Sequence, residues 1–361
     1  MVVIRFGNAI DMTRDYRFDI ARVLCMTYIV AFLHLYGYVY NVISANVIPS
    51  CHILCDACLG LFTFTSGYLL GKKYCFGQGG NSIKDFYVNR VVRIIPLFLL
   101  ASLVLCLIGF NSAKATLYGI LCLSPFLTPR PKTLWYIPVI IICYLITPMV
   151  CRKDIKNRIC NPFIFIVLVI FMGRVFPVDE RFVFNVLFYL LGMATAPCFT
   201  WKFSSKKGLI LRCFVVVLFV VALVFCKYKP WVYTTNYLRI TSALGVFAVL
   251  FLCDMIAKMV FPNENEKEIE KKNRQNHSRV LVSRIVKNIS YASMACYMFH
   301  RFFFWVGEKL WNPNVVALKW VYMAGMVFPI MLVLSYYIQK GYDFLVVRIE
   351  DKNYINVVYD K

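Results

Sequence analysis

The chain has 361 residues, 60% of them hydrophobic and 16% charged, with a mean hydropathy of +0.67; soluble domains carry about a quarter charged residues, so a soluble globular fold is excluded. Forty Lys and Arg against 18 Asp and Glu give a net charge of +22, but these cations lie between long apolar runs, which is the pattern of membrane-orienting charge and not of a nucleic-acid surface. No nucleic-acid partner is expected. Of the 15 cysteines, most lie within apolar runs (Cys25, Cys106, Cys122, Cys143, Cys213, Cys226, Cys253, Cys296), where free buried thiols are expected in place of a disulfide framework.

The first 17 residues are polar and include Arg5, Arg14 and Arg17. The apolar run after them is too long for a signal-peptide h-region, so the N-terminus is expected in the cytoplasm. A bilayer core about 30 Å thick takes about 20 apolar residues in helix. Runs of that order occupy 18–41, 52–71, 91–109, 134–150, 161–176, 183–199, 209–226, 235–260, 289–307 and 317–338. The stretch Thr116 to Leu127 is shorter and ends in Ser124-Pro125 and Thr128-Pro129-Arg130-Pro131; it reads as a re-entrant or interfacial piece.

With the N-terminus inside, segments 1–17, 72–93, 151–160, 200–208, 261–288 and 339–361 hold 26 Lys and Arg, against seven in the outside loops. The positive-inside rule is thus satisfied by ten spans. The expected fold is an all-α, polytopic integral-membrane bundle of about ten transmembrane helices with both termini cytoplasmic. It is expected to form a single domain over 1–361, with a cytoplasmic loop at 261–288, a short tail at 341–361 and no fused extracytoplasmic domain. Within the loop, Asn263-Glu264-Asn265-Glu266-Lys267-Glu268 and Lys271-Lys272-Asn273-Arg274 read as a solvated linker.

Ionisable side chains within spans are costly and therefore informative. Arg174, Arg239, Asp254 and Arg301 lie within reach of an interface and are expected to be structural. His34 follows Arg22 by twelve residues, about 18 Å along a helix, and His300 lies about 20 Å beyond Lys287, so two histidines from different helices are expected at nearly one depth. Arg90 and Arg93, three apart before Pro96, share a face at the cytoplasmic surface and suit phosphate. Cys51-His52-x-x-Cys55-x-x-Cys58 has metal-like spacing, but on a helix His52 points about 100° away from Cys51, so no metal is expected. No P-loop, GxGxxG after a strand, HExxH or GxSxG occurs.

Several ordered motifs resemble the acyltransferase 3 family of membrane acyltransferases. They are Phe18-Asp19-Ile20-Ala21-Arg22 leading to His34, Leu61-Phe62-Thr63-Phe64-Thr65-Ser66-Gly67-Tyr68-Leu69, and Tyr87-Val88-Asn89-Arg90-Val91-Val92-Arg93-Ile94-Ile95-Pro96. Leu134-Trp135-Tyr136-Ile137-Pro138 through Thr147-Pro148 and Ser290-Tyr291 through His300 look like later motifs of the same family. The resemblance implies transfer of an acyl group, commonly acetyl, from cytoplasmic acyl-coenzyme A to hydroxyls of cell-surface glycans. It also implies that Arg90 and Arg93 grip the donor. Family members ordinarily have ten residues between the basic residue and the histidine of the first helix. Here eleven separate Arg22 from His34, which on a continuous α-helix turns the two about 120° apart.

The resulting expectation is a membrane O-acetyltransferase of the plasma or inner membrane, using acetyl-CoA and no metal, with a surface polysaccharide or lipid-linked glycan as acceptor. His34 is the candidate general base or transient acyl carrier. His300 is placed to orient it or to stabilise an oxyanion, with Ser66 and Tyr68 behind. Arg90, Arg93 and Arg22 are the candidate donor-binding residues. The rival readings are a glycan transporter or exporter, and a non-catalytic relative of the same fold.

Overall fold

The computed structural model describes residues 16–40, 49–75, 83–151, 155–196, 206–228, 235–261 and 277–359, and every regular element among them is helical. That uniformity follows from the apolar composition, because a chain surrounded by hydrocarbon must satisfy each backbone N–H and C=O within its own segment. In chain order the helices are α1 (Tyr16–Thr27), α2 (Leu35–Val39), α3 (Pro49–Leu70), α4 (Ile83–Leu107), α5 (Ala113–Ile120), α6 (Tyr136–Val150) and α7 (Ile155–Val175). They continue with α8 (Glu180–Thr195), α9 (Lys206–Tyr228), α10 (Thr235–Val260), α11 (His277–Leu310), α12 (Val316–Tyr322) and α13 (Phe328–Tyr359). π-Helical stretches join α1 to α2 over Tyr28–His34 and α12 to α13 over Met323–Val327, and a third follows α3 over Gly71–Cys75.

The described parts of all ten apolar runs lie largely on helices, and six helices among the described residues are long and apolar enough to cross a bilayer: Tyr16–Val39, Cys51–Lys73, Ile83–Leu107, Gly208–Phe225, Asn236–Val260 and Val316–Val346. Tyr136–Val150 and Asn161–Val175 are shorter apolar helices. The run at 289–307 is part of the 34-residue α11, whose first turns carry Arg279, Arg284 and Lys287. The segment at 113–127 forms the eight-residue α5 and then turns, a helix of about 12 Å. Ser112 caps it by accepting from the Ala115 amide at 3.2 Å.

The part of the polar linker from His277 onward is already helical, and residues 262–276 lie outside the described residues. The tail is helical as well, since α13 continues to Tyr359. Of the cysteines expected to be free, Cys25, Cys143, Cys253 and Cys296 are free and buried, while Cys106, Cys122 and Cys213 are free but only partly covered or exposed. The Cys226 side chain lies outside the described residues. Cys151, by contrast, is disulfide-bonded.

The most extensive helix contact joins α3 to α8. It depends on Gly67 and Gly192: a Cβ at Gly67 would run into the Tyr189 carbonyl, and one at Gly192 into the Phe64 carbonyl. Small residues that let two backbones meet are the usual basis of helix association in lipid. Against α3 of this seam pack α1 and α10, and α11 packs on α1; their buried Cys25, Leu250 and Met298 share one core cluster with Phe64 of α3. The periphery is the reverse: Leu209, Ile210, Phe214, Val217 and Val221 of α9, and Phe163, Val167 and Phe171 of α7, face outward. An apolar outer face of this kind is what a hydrocarbon solvent requires.

Candidate active site

α1 and α11 run in the same direction and are tied at four levels. The Lys287 ammonium lies 5.4 Å from the centre of the Tyr16 ring. Ser290 Oγ donates to Asp19 Oδ1 at 2.6 Å. The Cys296 thiol meets Met26 Sδ at 3.3 Å. At the fourth level His34 Nδ1 lies 2.7 Å from His300 Nε2, with the rings stacked at 4.7 Å and 6°. The two histidines expected at one depth are therefore in direct contact.

The proton positions in this pair follow from its partners. His300 Nδ1 lies 2.7 Å from the Tyr297 carbonyl oxygen, and a carbonyl only accepts, so Nδ1 carries a proton. In a neutral imidazole the other nitrogen is then an acceptor. His300 Nε2 accordingly accepts from His34 Nδ1, which leaves the lone pair of His34 on Nε2. That nitrogen has no hydrogen-bond partner among the described residues. His300 is fully buried and braced by Tyr297 and Phe304, at ring distances of 6.0 Å each.

The π-helical stretch Tyr28–His34 corrects the expected offset of Arg22. Twelve steps of an α-helix leave about 120° between Arg22 and His34, but a π turn takes in one extra residue without added rotation, reducing the offset to about 20°. The inserted residue is thus absorbed within the helix. The Arg22 side chain lies 3.8 Å from Asp19, near the start of α1 and away from the histidines.

Arg90 and Arg93 occupy the corresponding end of α4. That end is fixed to the same level of the bundle, since the Tyr342 hydroxyl donates to the Val92 carbonyl and the neighbouring Asp343 receives Tyr291, next to Ser290. Arg90 lies 5.7 Å from the Phe86 ring and 5.2 Å from the Tyr144 ring, and its Nε is buried without a hydrogen-bond partner among the described residues. Neither Arg90 nor Arg93 forms an ion pair with a described carboxylate. Ser66 is partly buried on α3, and no hydrogen bond links it to His34 or His300. Tyr68 packs on Phe18 at 5.7 Å. The structure brings His34 and His300 together, keeps the arginines at the opposite end, and does not bring Ser66 to the pair.

Three of the residues expected to be structural have specific partners. Asp254, 2% exposed, receives Arg212 Nη1 at 2.5 Å, Lys258 Nζ at 3.0 Å and Arg17 Nη1 at 3.5 Å. Arg239 Nη1 meets Asp56 at 2.7 Å, and its Nε lies 3.5 Å from Glu180. Arg301, expected to snorkel to an interface, is instead 7% exposed. Its Nε donates to Thr133 Oγ1 at 3.1 Å, and its guanidinium lies 5.4 Å from the Tyr38 ring and 5.3 Å from the Phe110 ring. The reason is its position beside His300, within the bundle and next to the segment that follows α5.

That segment is fastened to α11 on either side of His300. The Tyr297 hydroxyl donates to the Thr133 carbonyl at 3.0 Å, so Tyr297 and Arg301, one turn apart on α11, both hold Thr133. The other end of the segment is fixed by Asp179, which caps α8 by accepting from the Arg181 amide at 2.9 Å and also pairs with the Arg181 and Arg130 side chains. Burial pushes the Asp179 carboxyl up, but the hydrogen bonds and charge of Arg181, with Arg130 behind them, outweigh it and hold the group below the usual carboxylate range. Arg181 in turn covers the Trp135 ring at 4.3 Å. Sequence reasoning missed Arg301 and Thr133. The available signal was adjacency, since one follows His300 and the other precedes Leu134-Trp135.

A family of acyltransferase domains, acyltransferase 3, matches residues 15–340. No curated protein and no solved structure matches the chain.

Proposed function

The chain belongs to the acyltransferase 3 family, and on that premise we propose that it is a multi-pass membrane O-acyltransferase that moves acetyl from acetyl-CoA to a hydroxyl of a surface polysaccharide or lipid-linked glycan. The observation that carries this reading is the chain Tyr297 C=O, His300, His34, which leaves one basic nitrogen, His34 Nε2, without a hydrogen-bond partner among the described residues. A histidine whose tautomer is fixed by a second group is the usual form of a general base. His34 Nε2 takes the proton of the acceptor hydroxyl as that oxygen attacks the acyl carbonyl, and returns it to the departing sulfur. His300 acts as a positioning residue, accepting from His34 Nδ1 and presenting no donor of its own toward the reacting atoms.

Arg90 and Arg93 suit the phosphates of the acyl-CoA donor, which supplies the activated acyl group. The fit rests on two guanidiniums three residues apart, neither neutralised by a described carboxylate, one with a buried Nε awaiting an acceptor. Since they stand at the end of the bundle where α1 begins, a donor held there extends toward His34 over about 18 Å of helix. On the positive-inside orientation this end faces the cytoplasm of the plasma or inner membrane. Proton-coupled transport finds less support, because the two candidate intramembrane carboxylates, Asp56 and Asp254, are both ion-paired with arginine.

The test is transfer of radiolabelled acetyl from acetyl-CoA into cell-envelope material by membranes containing this chain. His34→Ala is expected to lower transfer by about 10³-fold or more without loss of folded protein. Activity retained in that variant removes the catalytic assignment.

A further inference from the structure

We propose that Arg301 is a catalytic residue that stabilises the oxyanion formed at the acyl carbonyl during transfer; this deepens the acyl-transfer reading above and rests on it. The hydrogen-bond chain leaves that task open. His300 spends Nδ1 on the Tyr297 carbonyl and accepts through Nε2, so it has no proton to offer an oxyanion. His34 Nδ1 is likewise spent on His300. A donor must come from another residue beside the pair.

Arg301 meets the requirements. It follows His300 directly on α11, and it lies against Tyr38, one helical turn beyond His34, whose hydroxyl donates to the Arg301 carbonyl at 3.3 Å. Its guanidinium is therefore anchored to residues next to the pair, on α11 by sequence and against Tyr38 of α2 in space. It is 7% exposed, yet it forms no ion pair with any described carboxylate, whereas the buried Arg212 has Asp254 and the half-buried Arg239 has Asp56. Burying a cation without a counter-charge is costly, and intramembrane charge kept at such cost marks a site where negative charge arrives.

The donors are also correctly disposed. Nε is held by Thr133, and the aromatic faces of Tyr38 and Phe110 fix the plane. Beyond the Nε bond to Thr133 and a side-chain interaction with the Tyr38 hydroxyl, the five N–H groups of the guanidinium leave donors for a further acceptor. A guanidinium oriented in advance, in a setting with little water, is the arrangement in which an oxyanion is best stabilised.

The step balances as follows. The acceptor oxygen forms a bond to the acyl carbon while its proton passes to His34 Nε2, and the carbonyl electron pair moves onto oxygen opposite Arg301. That pair then returns, the carbon–sulfur bond breaks, and the thiolate takes the proton back from His34.

The experiment measures kcat and donor KM for the full chain in membranes, together with thermal stability in detergent, for the wild type, His34→Ala, Arg301→Gln, Arg301→Lys and Thr133→Val. Arg301→Gln is expected to lose about 10²- to 10³-fold in kcat with donor KM within about threefold of wild type, and Arg301→Lys to recover part of the loss. Thr133→Val keeps side-chain shape and the carbonyl bond to Tyr297, and by releasing Nε it is expected to lower kcat about tenfold. Folded Arg301→Gln at wild-type kcat, or a loss carried by donor KM, overturns the proposal. If Arg301→Gln does not fold, an unchanged kcat in Thr133→Val overturns it instead. A folded wild type that transfers no acyl group removes the enzyme reading itself. An active wild type and an inactive His34→Ala beside a fully active Arg301→Gln remove the role of Arg301 alone.

Discussion

Two groups of cations stand at the end of the bundle where α1 begins, and they are treated in opposite ways. Around Asp254, Arg212, Lys258 and Arg17 converge on one buried carboxylate. At the start of α4, Arg90 and Arg93 have no such carboxylate among the described residues, and Arg90 is held by aromatic rings instead. Sequence counting gives both groups the same description, as positive charge at a cytoplasmic boundary. Their partners separate them: a neutralised group joins α1, α9 and α10, whereas an unneutralised one keeps its hydrogen-bond donors for a ligand.

The histidine pair is a third treatment, in which geometry and not charge is controlled, and it supplies the largest expected effect. His300→Ala is expected to lower kcat by about 10²-fold by freeing the His34 tautomer, and His300→Gln, whose amide oxygen can accept from Nδ1, to recover part of that loss. Rate measurements at saturating donor decide this, and equal rates in the two variants would break the positioning role.

Asp254→Asn is expected to cost about 2 kcal/mol of stability, because hydrogen bonds between charged groups are worth that much and three cations lose their counter-charge. Thermal unfolding in detergent measures the loss, with donor KM expected to stay unchanged. Arg90→Gln and Arg93→Gln, by contrast, are each expected to raise donor KM about tenfold and to leave the unfolding temperature in place. A stability loss from the α4 pair, or a donor effect from Asp254, would dissolve the distinction.

Much of this was legible in the chain. Apolar runs located the helices, because hydrocarbon leaves backbone groups few other ways to be satisfied. Helical rise placed His34 and His300 at one depth before any contact was known, since depth along a helix is a linear property of residue number. Rotation was not legible in the same way. The eleven residues between Arg22 and His34 implied a misdirected Arg22, and a π turn absorbed the extra residue. Whether an insertion is absorbed depends on what the helix packs against, and the segments on either side of this one are pinned to α11, at Asp19 of α1 and at Tyr38 of α2.

By itself the sequence determined the solvent, the helical class, the approximate places of the helices and the set of ionisable residues from which a site can be built. Periodicity, length and charge asymmetry are properties of consecutive residues, and they carry that much. The tertiary structure decided which of those residues meet. It brought His34 to His300 across 266 positions, assigned Arg212 and Arg239 to carboxylates, and left Arg301 beside the histidines with Thr133 and two aromatic rings. Pairing is a matter of distances between helices, and a list of spans contains none of those distances.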